Sequence, residues 1–131
     1  IPMDSPAGRG EGSRLARCGA DRAVVVSTTD ASALRDAQRT VAVLRGRIPR
    51  IHLVVNRVQP KLLRRLHTTI DDAMDTAGLP LLGIVPEDPQ VLLCANQGTP
   101  LILRASRGAA IAYLNIARRL LGQRVPLMKL H

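Results

Sequence analysis

Aromatic side chains are almost absent from this 131-residue chain, which has no Phe, no Trp and a single tyrosine, Tyr113. That removes the stacking platforms on which single-strand and RNA-binding modules depend. The two cysteines, Cys18 and Cys94, lack C-x-x-C spacing, and the three histidines are scattered. Neither a zinc site nor a disulfide framework is therefore indicated, and a reducing cytoplasm fits. No apolar run approaches the roughly 18 residues of a membrane-spanning helix, and no lysine-led hydrophobic leader opens the chain. Hydrophobic residues at 46% and charged residues at 22% exclude a disordered or collagen-like chain. The length is that of about one domain.

Lysine is also scarce. Lys61 and Lys129 are the only two, so 17 of the 19 basic residues are arginine, set against ten acids for a net charge of +9. The arginines are dispersed, the densest pairs being Arg64-Arg65 and Arg118-Arg119. A footprint for specific nucleic-acid recognition would gather them on one face, so a solvated basic surface is the simpler expectation. A basic protein that binds nucleic acid or an anionic surface is the alternative from a different functional class.

Strand-length apolar runs recur at 23–26, 51–55 and 81–85, rich in Val, Ile and Leu and without alternation. Such runs suit strands buried on both faces of a parallel sheet. Between the first two, Leu34, Ala37, Val41 and Leu44 repeat at helical steps behind a Thr28-Thr29-Asp30 turn able to supply an N-cap, and Gly46 and Pro49 end the segment. Between the second and third, Leu62, Leu66, Ile70, Ala73 and Ala77 share one face, opened by Pro60 and closed by Gly78 with Pro80 beyond. A last helix is predicted from about Ser106 to Leu121, with Ala109, Ala110, Tyr113, Ile116 and Leu120 on its stripe, Arg118 and Arg119 complementing its dipole and Gly122 at its end. Strand, helix, strand, helix, strand, short helix, helix is the order of a doubly wound α/β sheet with right-handed crossovers. The opening Ile1-Pro-Met-Asp4 reads as the tail of one more strand, so residues 1–131 are expected to be a single partial domain.

Ligands of such sheets bind at the carboxyl ends of the strands. Those ends carry Asp4-Ser5-Pro6-Ala7-Gly8, Ser27-Thr28-Thr29-Asp30, Asn56-Arg57 and Pro86-Glu87-Asp88. One polar strand end is common in any α/β protein; four on one edge suggest a site.

Taken in order, Asp4-Ser-Pro-Ala-Gly8, Gly19-Ala-Asp-Arg-Ala-Val-Val-Val26, Ala33-Leu-Arg-Asp36, Val55-Asn-Arg57, Gly83-Ile-Val-Pro-Glu-Asp88 and Ala95-Asn-Gln-Gly-Thr-Pro100 resemble the C-terminal half of the MinD family of septum-site-determining ATPases. The likeness runs from Asp4 to about Leu130. Val-Asn-Arg alone is shared with the related ParA and Mrp types; the turn after Asp4 and the Asn-Gln-Gly-x-Pro segment argue against a ParA-like or flagellar-placement relative. The resemblance implies the C-terminal half of a P-loop NTPase that binds ATP with Mg²⁺, dimerises on ATP, attaches peripherally to the inner face of the cell membrane through a C-terminal helix, and recruits MinC, with MinE stimulating hydrolysis. The family's G-K-G-G-V-G-K-T phosphate loop has no counterpart in the chain, and the chain stops at Val125-Pro-Leu-Met-Lys-Leu-His131 where the family has its membrane helix. Both the phosphate loop and the anchor are expected to be missing from this fragment.

By position, Asp4 matches the acidic strand-end residue that organises Mg²⁺ through water, or else caps the Ser-Pro turn after it. Gly8 matches a switch-like bend, although Arg9-Gly10 replaces the Ile-Glu usual there. Asn56 matches the residue whose amide reads adenine, and is otherwise a turn residue. Arg57 is expected to pack along the base plane or lie in solvent. Pro86, Glu87 and Asp88 match the adenine-side loop, where backbone groups make the contact, while Glu87 and Asp88 also suit a helix N-terminus. Arg35 and Asp36 match the helix that faces MinC and MinE, with Gln38 in place of a second acid. His67 and Cys94 are assigned packing roles.

The 131-residue chain by itself is expected to show no ATPase activity, because no other Gly and Lys cluster can replace the phosphate loop. Magnesium-dependent phosphate release from the purified chain, abolished by Asp4→Ala, is the result that would overturn this.

Overall fold

The computed structural model describes residues 21–59, 61 and 63–122, with side chains throughout except at 63–69. Asp4, Gly8 and Cys18 lie outside them, as do Leu62 and the side chains of Leu66 and His67.

Three parallel strands, β1 (Arg22–Ser27), β2 (Arg50–Val58) and β3 (Leu81–Pro86), form one sheet in the order β1-β2-β3. Helix α1 (Ala31–Leu44) follows β1, α2 (Leu63–Ala77) follows β2, and α3 (Pro89–Gln97), a short 3₁₀ turn (Leu101–Leu103) and α4 (Ala109–Leu120) follow β3. From the strand at 23–26 onward the predicted order of elements is realised; the further strand read at Ile1–Asp4 lies outside the described residues.

Successive residues Leu53, Val54 and Val55 on β2 are all nearly inaccessible, at 0%, 4% and 0% exposure. Alternate side chains leave opposite faces of a strand, so both faces of β2 need cover. On one face, Leu53 and Val55 join Val25, the α1 stripe Leu34, Ala37, Val41 and Leu44, and Ala73 and Ala77 of α2. On the other, Val54 packs with Leu82 and Val85 of β3 and Ala109 and Ala112 of α4. Helices therefore lie on both faces, as a doubly wound sheet requires.

Three details depart from the sequence reading. β1 is buried on one face only: Val24 and Val26 point to the other, where Val26 is 59% exposed. The α4 seam is Ala109, Ala112, Ile116 and Leu120, while Tyr113 is exposed. The seam is small because α4 lies so close to β3 that a Cβ on Gly83 would run into the Ile116 side chain. Finally, α4 begins at Ala109 rather than Ser106, because Gly108 holds φ 61° and ψ −126°, outside helical geometry.

His52 lies half-buried on β2 with its Nδ1 buried and without a hydrogen-bond partner among the described residues. Burial first, then the charges of Arg22 and Arg50, hold its pKa below the usual histidine value. The folded chain then binds this proton more weakly than the unfolded chain. The resulting stability is present above the unfolded pKa of about 6.5 and is lost as pH falls through the folded value. The melting temperature should fall on acidification below about pH 6.5, and His52→Gln should make that fall shallower. Circular dichroism melts across this range check it; identical slopes for the two proteins would refute the assignment to His52.

Candidate functional site

The carboxyl edge of the sheet is built from the ends of β1, β2 and β3. At the first, Ser27 is buried and its hydroxyl donates to the Thr28 carbonyl at 2.8 Å. The Thr28 hydroxyl donates to the Asp30 carboxylate, whose other oxygen accepts the Ala33 N–H at 3.0 Å. These two bonds, Thr28 first, hold the Asp30 carboxyl below the usual carboxylate range. Asp30 is thus the N-cap of α1, as the sequence suggests.

The second strand end is unusual. β2 does not stop at Val55; it continues through Asn56 and Arg57 to Val58, which is buried and pairs with Pro86. Between the Val55–Ile84 and Val58–Pro86 pairings β2 spends two residues where β3 spends one, a bulge. Arg57 takes up the extra length at φ 56°, the only non-glycine residue with positive φ among those described. The half-buried Asn56 supports this turn, its Oδ1 accepting the Arg57 N–H at 2.9 Å. Among the described residues its Nδ2 and its second Oδ1 lone pair make no other hydrogen bond.

The third strand end closes over the second. Glu87 N–H donates to the Val58 carbonyl at 2.7 Å, the Arg57 guanidinium pairs with Glu87 Oε1 at 3.4 Å, and Gln59 Nε2 lies 3.4 Å from Oε2. Both members of the ion pair are substantially exposed, so it contributes little to stability and chiefly orients the two side chains. Pro86 itself is buried. Asp88 accepts the Gln90 N–H on Oδ1 at 3.0 Å and the Ala109 N–H on Oδ2 at 3.1 Å, so one carboxylate caps the N-termini of α3 and α4 together. The approach depends on Gly108, where a Cβ would lie 2.5 Å from Asp88 Oδ2.

Asn56 and Arg57 on β2 and Pro86, Glu87 and Asp88 at the end of β3 therefore lie at one edge of the sheet, joined through the Glu87–Val58 and Arg57–Glu87 contacts. Gln59 and Gly108 were missing from the sequence reading; nothing in a lone Gln or in Arg107-Gly108 announces a partner as distant as Glu87 or Asp88. Arg35 and Asp36 lie apart, exposed on α1 with Gln38, and Asp36 is 3.8 Å from Arg39 rather than paired with Arg35. No group of His, Cys, Asp and Glu able to hold a metal exists among the described residues, so the Mg²⁺ expectation rests on Asp4, outside them. Cys94 is a buried free thiol, and no described helix is long and apolar enough to cross a membrane.

No protein-family model matches the chain. Septum site-determining protein MinD of Bacillus subtilis is 42% identical over 133 residues, covering 99% of this chain and 50% of that protein. The chain therefore belongs with the MinD family. It spans about half the length of the curated relatives it matches. Aquifex aeolicus MinD, solved alone and in a MinC:MinD complex, superposes with TM-scores of 0.80 and 0.79 at 28% and 29% identity, over 92% and 91% of this chain and 51% and 50% of theirs. MinD of Pyrococcus horikoshii, solved with Mg-ADP, superposes at 0.62 with 22% identity over 76% of this chain and 41% of its own, a likeness of fold. The α/β fold is that of P-loop NTPases of the MinD type.

The shared cap makes a stability prediction. Asp88→Ala should destabilise the chain by about 1–3 kcal/mol through loss of two caps, and Gly108→Ala by about as much through its backbone conformation. Because both changes break the same Asp88–Ala109 bond, the double variant should lose less than the sum. Urea unfolding of the four proteins measures this, and strict additivity would show that the bond contributes nothing.

Proposed function

We propose that this chain is the nucleotide-base half of a MinD-type ATPase that selects the division site. The observation that carries the reading is the convergence of Asn56 with the Pro86-Glu87-Asp88 loop at the carboxyl edge of a parallel sheet, where α/β folds take their ligands. Adenine offers a donor and an acceptor side by side, and an amide matches both. Asn56 presents Nδ2 and the remaining Oδ1 lone pair, with Oδ1 already fixed by the Arg57 N–H. The ion pair with Glu87 holds the Arg57 guanidinium at the ends of β2 and β3, where it could lie along a base plane. The Mg-ADP bound by the P. horikoshii protein supports a nucleotide as the ligand.

In the intact protein, ATP is hydrolysed to ADP and phosphate, with catalysis largely by positioning and charge stabilisation. Mg²⁺ would neutralise charge on the phosphates, and Asp4 is the residue of this chain that would orient its water shell. The exposed α1 face with Arg35 and Asp36 meets MinC and MinE; the MinC:MinD complex of A. aeolicus supports the first of these. ATP-driven dimerisation and peripheral attachment at the inner membrane face complete the cycle.

In a full-length protein carrying a phosphate loop upstream of Ile1, Asn56→Ala should cost about 1–3 kcal/mol of ATP affinity, leave the chemical step little changed, and narrow the preference for ATP over GTP. Nucleotide titration measures both. Unchanged affinity and preference would leave Asn56 a turn residue only.

A further inference from the structure

Asn56 and Arg57 occupy the bulge of β2, between the Val55–Ile84 and Val58–Pro86 pairings, and neither has a register partner on β3. The Arg57 N–H donates to Asn56 Oδ1 at 2.9 Å. Of the two ends of an amide only the oxygen accepts an N–H, so this bond decides which way round the Asn56 side chain lies. The bond depends in turn on the left-handed backbone of Arg57, at φ 56°. Glycine enters that region freely, other residues seldom do, and β-branched ones least of all. Val55 and Val58 are buried and paired to β3 on either side, which fixes the path of the chain. On a fixed path the Asn56–Arg57 peptide turns only if ψ of the first residue and φ of the second change together. Moving Arg57 to negative φ would therefore swing its N–H away from Oδ1. A non-glycine residue held at positive φ is strain of the kind that working sites retain.

We infer that the Arg57 main-chain N–H determines base specificity: by pinning Oδ1 it makes the Asn56 amide reject purines that carry oxygen at position 6. The inference rests on the reading of Asn56 as the residue that meets the base, and adds what sets its selectivity. Adenine has an amino donor at position 6, which the second Oδ1 lone pair can accept, beside ring nitrogens that accept from Nδ2. Guanine and hypoxanthine have an acceptor oxygen there instead. An amide free to turn over would offer Nδ2 to that oxygen and bind either class of purine. A pinned amide meets it with Oδ1, acceptor against acceptor, and a hydrogen bond that water had made is lost without replacement. Arg57 is in this sense a positioning residue acting through Asn56. The group that acts is the backbone N–H, distinct from the guanidinium that pairs with Glu87.

The test compares dissociation constants for ATP and inosine triphosphate, which differ only at position 6 and the adjoining N1, in the full-length protein with its phosphate loop. Arg57→Gly, Arg57→Ala and Arg57→Val all remove the guanidinium and should weaken both nucleotides on that account. They differ in backbone, since glycine keeps the positive φ and valine opposes it. The preference for ATP should hold within about twofold in Arg57→Gly, fall by about tenfold in Arg57→Val and lie between in Arg57→Ala. A merely structural role would weaken both nucleotides and leave that ratio where it was. Hydrogen exchange at the residue-57 amide, read by NMR in the 131-residue chain, gives a second measurement that does not need the valine variant to fold. Exchange should be slow in the unaltered chain, in Arg57→Gly and in Asn56→Asp, whose carboxylate still accepts, and fast in Asn56→Ala. Equal preference across the three Arg57 variants, or an amide that exchanges as fast in the unaltered chain as in Asn56→Ala, would overturn the inference. If Asn56→Ala abolishes the preference while every Arg57 variant keeps it, the base reading stands and only the role of Arg57 is lost. If Asn56→Ala leaves the preference unchanged, both fall.

Discussion

β2 has to be covered on both faces, and the rest of the structure follows from that. Leu53 and Val55 on one side and Val54 on the other are almost inaccessible, so one layer of helices cannot suffice. The first layer takes the α1 stripe and the end of α2; the second takes the small-residue seam of α4, drawn close against Gly83. Since β1 and β3 both run parallel to β2, all three strand ends emerge on the same edge, and a site there is a consequence of the packing.

What the packing does not provide is order among the loops at that edge, and carboxylates provide it. Asp30 caps α1, Glu87 gathers Arg57 and Gln59 across two strand ends, and Asp88 caps α3 and α4 at once. Three acids thus hold backbone N–H groups or neighbouring side chains in place. Among the described residues the Asn56 amide keeps hydrogen-bonding capacity beyond the Arg57 N–H, while the Glu87 N–H is taken up by the Val58 carbonyl. The chain contains no phosphate loop, and its similarity to MinD covers about half of that protein.

The opposite end of the sheet is electrostatically different. There the backbone carbonyls at the helix C-terminus and the strand starts attract guanidinium groups, as the negative end of a helix dipole favours. The two ends of the strands thus differ, with amide and carboxylate side chains gathered at one and arginines at the other.

Sequence alone determined the element order, an N-cap for α1 within Thr28-Thr29-Asp30, the face of α2 defined by Ile70, Ala73 and Ala77, and the parallel sheet. All of these rest on local periodicity, on capping chemistry or on apolar runs too continuous for a half-exposed strand. Relations between distant residues were decided only by tertiary structure. The bulge at Asn56-Arg57 arises because Val58 must reach Pro86 and be buried, a demand made by β3. Tyr113 falls outside the α4 seam because the close approach to Gly83 selects Ala109, Ala112 and Ile116 instead. Asp88 gains its second helix from a residue 21 positions away, and the arginines converge from both halves of the chain because α1 and α4 end where β1 and β2 begin. Periodicity fixes which face a residue occupies on its own element; which partner meets that face depends on how elements dock, and no local pattern encodes it.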